Sequence, residues 1–175
     1  MLFRSQRIDA LVRDGEVDFG LGVRARLGHG LDFEVVMVDR LCLFIPSDHP
    51  LASRQSVSLS ALTGQPMILT GRDSSVRERV EQLFAEEGLH LIPGLEANYM
   101  STVLALVRQG LGMTLLPESA DDGRGDLARV PVDHPGVSRE IGLITRAGQS
   151  LSPAPQRFVE LMRSVLDQSD PLPTT

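Results

Sequence analysis

Hydroxyl and amide side chains stand directly after two predicted strands of the chain. Thr70 ends the short apolar run 67–70, and Asn98 lies near the end of the extended segment 95–99. In open α/β sheets, ligands bind at the carboxyl ends of strands, where helix N-termini present free N–H groups. A hydroxyl, an amide and backbone N–H groups suit a carboxylate or similar anion, and adjacent Leu and Met side chains suit a small organic body. The predicted binding residues are Thr70, Ser74, Ser75, Asn98, Tyr99, Met100 and Pro117, with Gly22 and Arg24 facing them from another part of the fold.

Each of these residues also has a structural interpretation. Ser75 begins the pattern Ser-Val-Arg-Glu, a capping box that opens a predicted helix at 75–78. Thr70 and Asn98 belong to residue types that readily make local turn hydrogen bonds. Tyr99, the only tyrosine, is alternatively a core residue, and Arg24 a solvated loop arginine. Both interpretations stay open at the level of sequence.

Catalytic and metal-binding patterns are missing from the sequence. All 17 basic residues are arginine, which excludes a P-loop lysine, a Schiff-base lysine and a Ser-x-x-Lys nucleophile. The four histidines stand singly, without the spacing of metal ligands. An acid–base pair near the predicted site would have to come from Glu96 and Glu118. We therefore predict no enzyme activity, no catalytic residues, no metal and no cofactor.

Composition narrows the class of protein further. The 175 residues are 42% hydrophobic and 23% charged, which suits one good core or two small lobes. The net charge of −6, with scattered arginines, argues against direct DNA binding. No apolar run approaches the ~20 residues of a membrane span, and no secretory signal begins the sequence, so a cytoplasmic location without membrane contact is expected. The single cysteine, Cys42, lies in an apolar run and is expected to be buried.

Strands and helices are predicted to alternate along the chain. Two strands are expected at 31–38 and 41–45, and a strand at 113–116 follows a helix at 102–109 that Ser101 caps. Ser152 and Pro153 open the last helix. This alternation predicts an α/β fold with parallel or mixed sheets and right-handed crossovers.

Four segments, taken in order, carry a family resemblance. They are Asp-Gly-Glu-Val-Asp-Phe-Gly-Leu-Gly at 14–22, Asp-His-Pro-Leu at 48–51, Val-Arg-Gln-Gly-Leu-Gly-Met-Thr-Leu-Leu-Pro at 107–117, and Leu-Ser-Pro-Ala-Pro-Gln-Arg-Phe at 151–158 after a strand at 140–145. Together they resemble the effector-binding region of LysR-type transcriptional regulators, over about residues 8–166. The resemblance implies a two-lobed, type-2 periplasmic-binding-protein-like fold whose interlobe cleft is lined by Thr70 and by Asn98, Tyr99 and Met100. One lobe would comprise 1–66 plus 146–168 and the other 67–145, with a disordered tail at 169–175.

The resemblance also implies partners and a missing part. In the family's pattern an initial strand and its helix come first, so we expect the first lobe to be incomplete and residues 1–3 to be a remnant of the second strand. An N-terminally truncated chain without the winged helix-turn-helix would sense a small organic, anionic effector without binding DNA. The family is homo-oligomeric, and Arg77, Arg79, Glu81 and Glu86 would edge a subunit contact whose usual counterpart is the absent first helix. The alternatives are a non-functional gene fragment, a stand-alone solute-binding protein and an enzyme on the same scaffold.

Overall fold

The computed structural model of the protein describes residues 8–24 and 28–169, with the backbone alone for 166–169. Residues 1–3, the predicted strand remnant, lie outside the described part, as do residues 170–175 of the tail predicted at 169–175; Ser169 is the last residue of a helix. Strands and helices alternate, so the predicted α/β class is confirmed. The elements are α1 (Ile8–Arg13), β1 (Gly20–Val23), β2 (Leu31–Pro46), β3 (Pro66–Thr70), α2 (Ser75–Glu86), β4 (Ile92–Ala97), α3 (Met100–Arg108), β5 (Thr114–Pro117), β6 (Leu127–Pro131), β7 (Ser138–Arg146) and α4 (Pro153–Ser169).

The described residues form two compact units. The first unit contains the residues up to Val38 and those from Arg139 onward, and the second unit is Asp39–Ser138. Residues 39–66 fall in the second unit because the end of β2 pairs with β5 and β6. The lobe boundaries derived from the resemblance stay a prediction.

Three neighbouring strands of the second unit point the same way. β3 and β4 pair in parallel, with Thr70 opposite Ala97. On the other side of β3, Met67 forms a parallel bridge with Met113, and the Ile68 N–H donates to the Met113 carbonyl at 2.7 Å. The carboxyl ends of β3, β4 and β5 therefore meet at one edge of the second unit, which we call the strand-end edge.

Helices α2 and α3 bury one face each in the core of the second unit. The buried side chains of α2 include Val76, Val80, Leu83 and Phe84, the apolar face that the sequence pattern predicts. The buried face of α3 is Val103, Leu104 and Val107. Burying these faces fixes the N-termini of both helices just beyond the strand-end edge.

The first unit is a smaller layer of helices on a sheet. β1 pairs antiparallel with β7, from Gly20 opposite Ile144 to Val23 opposite Ile141, and β7 lies between β1 and β2. On one face α1 packs so closely that a Cβ at Gly20 would collide with the Ile8 side chain. Val12, Leu31 and Ile144 form the buried cluster on this face. Since neighbouring residues of a strand face opposite ways, Leu143 faces the other side, where α4 lies.

The two strands predicted at 31–38 and 41–45 are one strand, and that prediction is wrong. Asp39 and Arg40 were expected to interrupt it, but both stay in the extended conformation. The Asp39 carboxylate is buried, where it accepts hydrogen bonds from the Arg40 N–H at 2.8 Å and from the Ser119 hydroxyl at 2.6 Å. The Asp39 carboxylate can therefore be buried within β2, because Ser119, which is distant in the sequence, supplies a hydrogen-bond donor.

None of the helices described within 8–24 and 28–169 combines the length and apolar character needed to cross a bilayer.

Candidate functional site

Thr70, Asn98 and Pro117 lie at the strand-end edge. Asn98 directly follows Ala97, the register partner of Thr70. A Cβ placed on Gly71 would lie 2.9 Å from Asn98 Oδ1 and 3.2 Å from Asp73 Oδ1, so the Asn98 side chain rests against the backbone that leaves β3. Met67 and Met113 form a parallel bridge, and four residues further along each strand Gly71 comes opposite Pro117, the last residue of β5. The fold thus brings together three predicted residues that are far apart in the sequence.

The Thr70 hydroxyl is buried without a hydrogen-bond partner. Thr70 is only 3% exposed, and its Oγ1 contacts no donor or acceptor among the described residues. The local turn hydrogen bond considered as its alternative role is therefore not made. A buried polar group left unpaired costs about 1–3 kcal/mol. Such a group calls for a partner from outside the chain, which a ligand or a bound water supplies.

The N-terminus of α2 follows Thr70 at this edge. Ser74 is the N-cap, and its hydroxyl accepts from the Val76 N–H at 3.2 Å. The prediction that Ser75 caps the helix is wrong by one residue, because Ser75 already has helical backbone and is the first residue of α2. First-turn N–H groups of a helix have no intrahelical acceptor and carry the positive end of the helix dipole. The N-terminus of α2 therefore contributes a positive electrostatic potential to an edge that also holds the Asp73 carboxylate.

The start of α3 also differs from the prediction. The helix begins at Met100 rather than after a Ser101 cap, and the N-cap residue is Tyr99, whose side chain makes no capping bond. Tyr99 is 69% exposed, which contradicts its alternative role as a core residue. Met100 is partly buried against the core of the second unit. Tyr99 thus offers an exposed aromatic ring beside Asn98.

Arg77 was missed as a residue of this region. It is 2% exposed and donates hydrogen bonds to Glu81 at 2.6 Å, to Glu96 at 3.0 Å and to the Thr70 carbonyl at 3.3 Å. Burial lowers the pKa of Arg77, but the hydrogen bonds with Glu81 and Glu96 outweigh it, and the pKa lies above the ordinary value. The prediction that Arg77 edges a subunit contact is wrong, because its guanidinium joins α2 to the ends of β3 and β4. The i,i+4 spacing of Arg77 and Glu81 indicates an ion pair, but no local pattern indicates its burial.

Gly22 and Arg24 belong to the first unit. Arg24 pairs with Glu140 at 2.5 Å, and its guanidinium carbon lies 5.0 Å from the centre of the Phe33 ring. Gly22 packs closely, since a Cβ there would lie 2.8 Å from the Ile144 side chain. These contacts give both residues a role within the first unit, and their part in ligand binding stays a prediction.

The described residues contain no group of His, Cys, Asp and Glu side chains arranged to hold a metal ion. Cys42 is buried, as predicted, and burial together with the nearby Glu118 raises the pKa of its thiol to about 11. The thiol of Cys42 is therefore protonated at neutral pH.

Comparison with known proteins identifies relatives over nearly the whole chain. The family model described as the LysR substrate binding domain matches residues 2–167. The uncharacterized HTH-type transcriptional regulator YbhD of Escherichia coli is 33% identical over 149 residues, which are 84% of this chain and 47% of that protein. The chain spans about half the length of the curated relatives that it matches.

Solved structures share the fold. The regulatory domain of Synechocystis CcmR, solved in complex with 2-PG, superposes with a TM-score of 0.84 at 20% identity, over 95% of this chain and 81% of that one. The effector binding domain of QuiR, solved in complex with shikimate, has a TM-score of 0.81 at 18% identity and similar coverage, 95% and 80%. The predicted fold, that of LysR effector-binding domains, is confirmed.

Proposed function

The chain belongs to the LysR substrate-binding domain family, and on that premise we propose that it binds a small organic anion at the strand-end edge as the effector-sensing part of a transcriptional regulator. Thr70, Ser74, Ser75, Asn98, Tyr99, Met100 and Pro117 are the proposed contacts in the second unit. Gly22 and Arg24 are the proposed contacts from the first.

The observation that carries this proposal is the buried, unpartnered hydroxyl of Thr70. Thr70 ends β3, the Asn98 side chain packs against Gly71 directly after it, and α2 begins at Ser75. A carboxylate oxygen accepts hydrogen bonds from a hydroxyl, an amide N–H and helix N-terminal N–H groups together, and the helix dipole favours its charge. The exposed ring of Tyr99 and the side chain of Met100 supply apolar surface for the rest of such a molecule.

We propose a receptor rather than an enzyme. The two carboxylates that would serve as acid and base are both in ion pairs, Glu96 with Arg77 at 3.0 Å and Glu118 with Arg129 at 3.1 Å. The relative YbhD is described as an HTH-type transcriptional regulator. An effector changes such a regulator only by binding one of its states better than another. We place such a sensor in the cytoplasm. In the longer regulators to which this chain is similar, DNA contact is assigned to the part outside the matched region, since this chain is acidic.

Calorimetric titration with shikimate, benzoate and inorganic phosphate tests the proposal. At least one carboxylate should bind more tightly than phosphate, and T70V should weaken that binding about ten-fold, the effect of losing one hydrogen bond worth about 1.4 kcal/mol. N98A should weaken binding comparably.

The matched control is T114V. Thr114 is also fully buried with an unpartnered hydroxyl, but it lies within β5 rather than at the strand-end edge. T114V should leave the affinity unchanged. Equal losses in T70V and T114V, or none in either, would place the ligand elsewhere.

A further inference from the structure

An open cavity of about 350 Å³ lies in the first unit, between β7 and α4. The apolar part of its lining consists of Leu143 on β7, Val159 on α4 and Leu151 in the loop that joins them. Leu143 and Val159 are both buried. All the lining residues belong to the first unit, so the cavity is formed by that unit alone. Its volume falls in the range of small-molecule sites, about 300–1,000 Å³.

Three neutral polar side chains of the lining have no hydrogen-bond partner among the described residues. They are the hydroxyls of Thr145 and Ser150 and the side-chain amide of Gln156. A hydroxyl both donates and accepts hydrogen bonds, and so does an amide. The lining therefore offers free donors and free acceptors beside its apolar part.

The charged side chains of the lining are already neutralised within the chain. Arg163 donates to one oxygen of Glu34 at 2.6 Å, and Arg157 donates to one oxygen of Glu160 at 3.1 Å. Each pair contains one carboxylate and one guanidinium, so the pairs present no net charge to a ligand. The second oxygen of each carboxylate keeps its capacity to accept hydrogen bonds.

The start of α4 adds little affinity for anions. A helix N-terminus binds anions through the free N–H groups of its first turn. Pro153 and Pro155 have no N–H, and the Gln156 N–H already donates to the Ser152 carbonyl at 3.0 Å. The cavity therefore differs in its chemistry from the strand-end edge, where α2 begins without a proline.

We propose that this cavity binds a small neutral polyhydroxylated molecule, of the class of the monosaccharides and cyclic polyols. Hydroxyl groups donate and accept, so they match the free groups of Thr145, Ser150 and Gln156 and the remaining carboxylate oxygens. The C–H face of a saturated ring covers the apolar part of the lining. This site is separate from the anion site proposed for the second unit and takes a different class of ligand.

Saturation-transfer-difference NMR with D-glucose, D-galactose and myo-inositol tests the proposal. At least one of the three should bind saturably, with a Kd of about 1–10 mM and with saturation of its ring C–H protons. Q156L and T145V should each weaken that binding about five-fold, because each removes one hydrogen-bonding group and nearly keeps the shape of the side chain.

The matched control is Q82L. Gln82 is also an exposed glutamine within a helix, but it belongs to α2 in the second unit. Q82L and T70V should both leave the affinity for the sugar or polyol unchanged. The proposal is overturned by the absence of saturable binding of all three compounds up to about 50 mM, or by equal losses in Q156L and Q82L.

Protection of a thiol locates the ligand independently of these variants. In S150C the new thiol lies in the lining, so the compound that binds most tightly should slow its alkylation by iodoacetamide at least about three-fold when present well above its Kd. Cys42 does not interfere, because it is buried and its raised pKa keeps it protonated. S53C, at an exposed position of the second unit, should react at the same rate with and without the compound. Unprotected S150C, or equal protection of both thiols, would rule out this cavity.

Discussion

At the scale of single residues, two buried threonines carry the most information. Thr70 and Thr114 both leave a buried hydroxyl oxygen unpaired in the described structure. Thr70 is the last residue of β3, at the strand-end edge, whereas Thr114 is the first residue of β5. In the proposed site, a hydrogen bond from a ligand offsets the cost of the unpaired hydroxyl at Thr70 and not at Thr114.

Replacing either threonine with valine should stabilise the unliganded protein. Valine keeps the shape and removes the unpaired polar atom, so the free energy of unfolding should rise by about 1 kcal/mol in T70V and in T114V, or 2–4 °C in Tm. Urea and thermal unfolding measure this. The exposed Thr102 provides the control, since T102V should stay within about 0.5 kcal/mol of the wild type. A destabilised T70V would show that ordered water already satisfies the hydroxyl.

Cys42 makes stability depend on pH at the alkaline end. Burial raises its pKa from 9.0 to about 11 in the folded state, so the unfolded chain loses the proton first. The stabilisation is complete below pH 9 and is lost as pH rises from 9 through 11, by at most about 2–3 kcal/mol. Between pH 8 and pH 10 the urea midpoint of unfolding should therefore fall further in the wild type than in C42A. Parallel falls in the two proteins would mean that Cys42 titrates normally.

At the scale of elements, the first turns of α2 and α3 show how the chain positions its candidate site. α2 begins with a side-chain cap on Ser74, whereas Tyr99 provides none for α3. Buried Arg77 then joins α2 to the Thr70 carbonyl and to Glu96 of β4. Arg77 thus fixes the end of β3 relative to α2, while at the start of α3 the Tyr99 carbonyl accepts from the N–H groups of Thr102 and Val103 at 3.0 Å.

Ser74 and Ser75 provide a direct test of which residue caps α2. S74A should lower the free energy of unfolding by about 1 kcal/mol, because the Val76 N–H loses its acceptor. S75A should change it by less than about 0.5 kcal/mol, since a first-turn alanine is well tolerated. Chemical denaturation of both variants distinguishes them, and the reverse order would restore the cap that the sequence pattern predicts.

At the scale of the whole molecule, the two units differ in how much core they hold. The buried cluster of the second unit draws on β2, β3, β5, β6, α2 and α3. The buried cluster described for the first unit consists of Val12, Leu31 and Ile144, with three partly buried side chains around it. Local stability follows the amount of buried apolar contact, so the two units should open with different free energies.

Hydrogen exchange followed by mass spectrometry should show this difference. At 1 µM and neutral pH, peptides from α2 and β5 should exchange at least ten-fold more slowly than peptides from α1 and β1, a difference of about 1.4 kcal/mol in opening free energy. Uniform exchange at 1 µM would mean that the units unfold as one.

Much of the fold was predictable from local pattern. The apolar face of α2, the alternation of strands and helices, and the strand ends at Thr70, Asn98 and Pro117 follow from side-chain periodicity, and the four family segments indicate the architecture. The predictions failed where a partner distant in the sequence decides the outcome, as in the uninterrupted β2 with its buried Asp39–Ser119 pair. The start of α2 was misplaced by one residue because adjacent serines are equally good caps by sequence.

The sequence by itself determined which segments form strands and helices and to which family they belong, because periodicity and turn residues act over a few neighbouring positions. Only the tertiary structure decided that Arg77 is buried, that Tyr99 is exposed and that the Thr70 hydroxyl has no partner in the described chain. Burial and hydrogen bonding depend on which distant segments pack against a residue, and no local pattern contains that information. The chemistry proposed for this protein depends on these non-local facts.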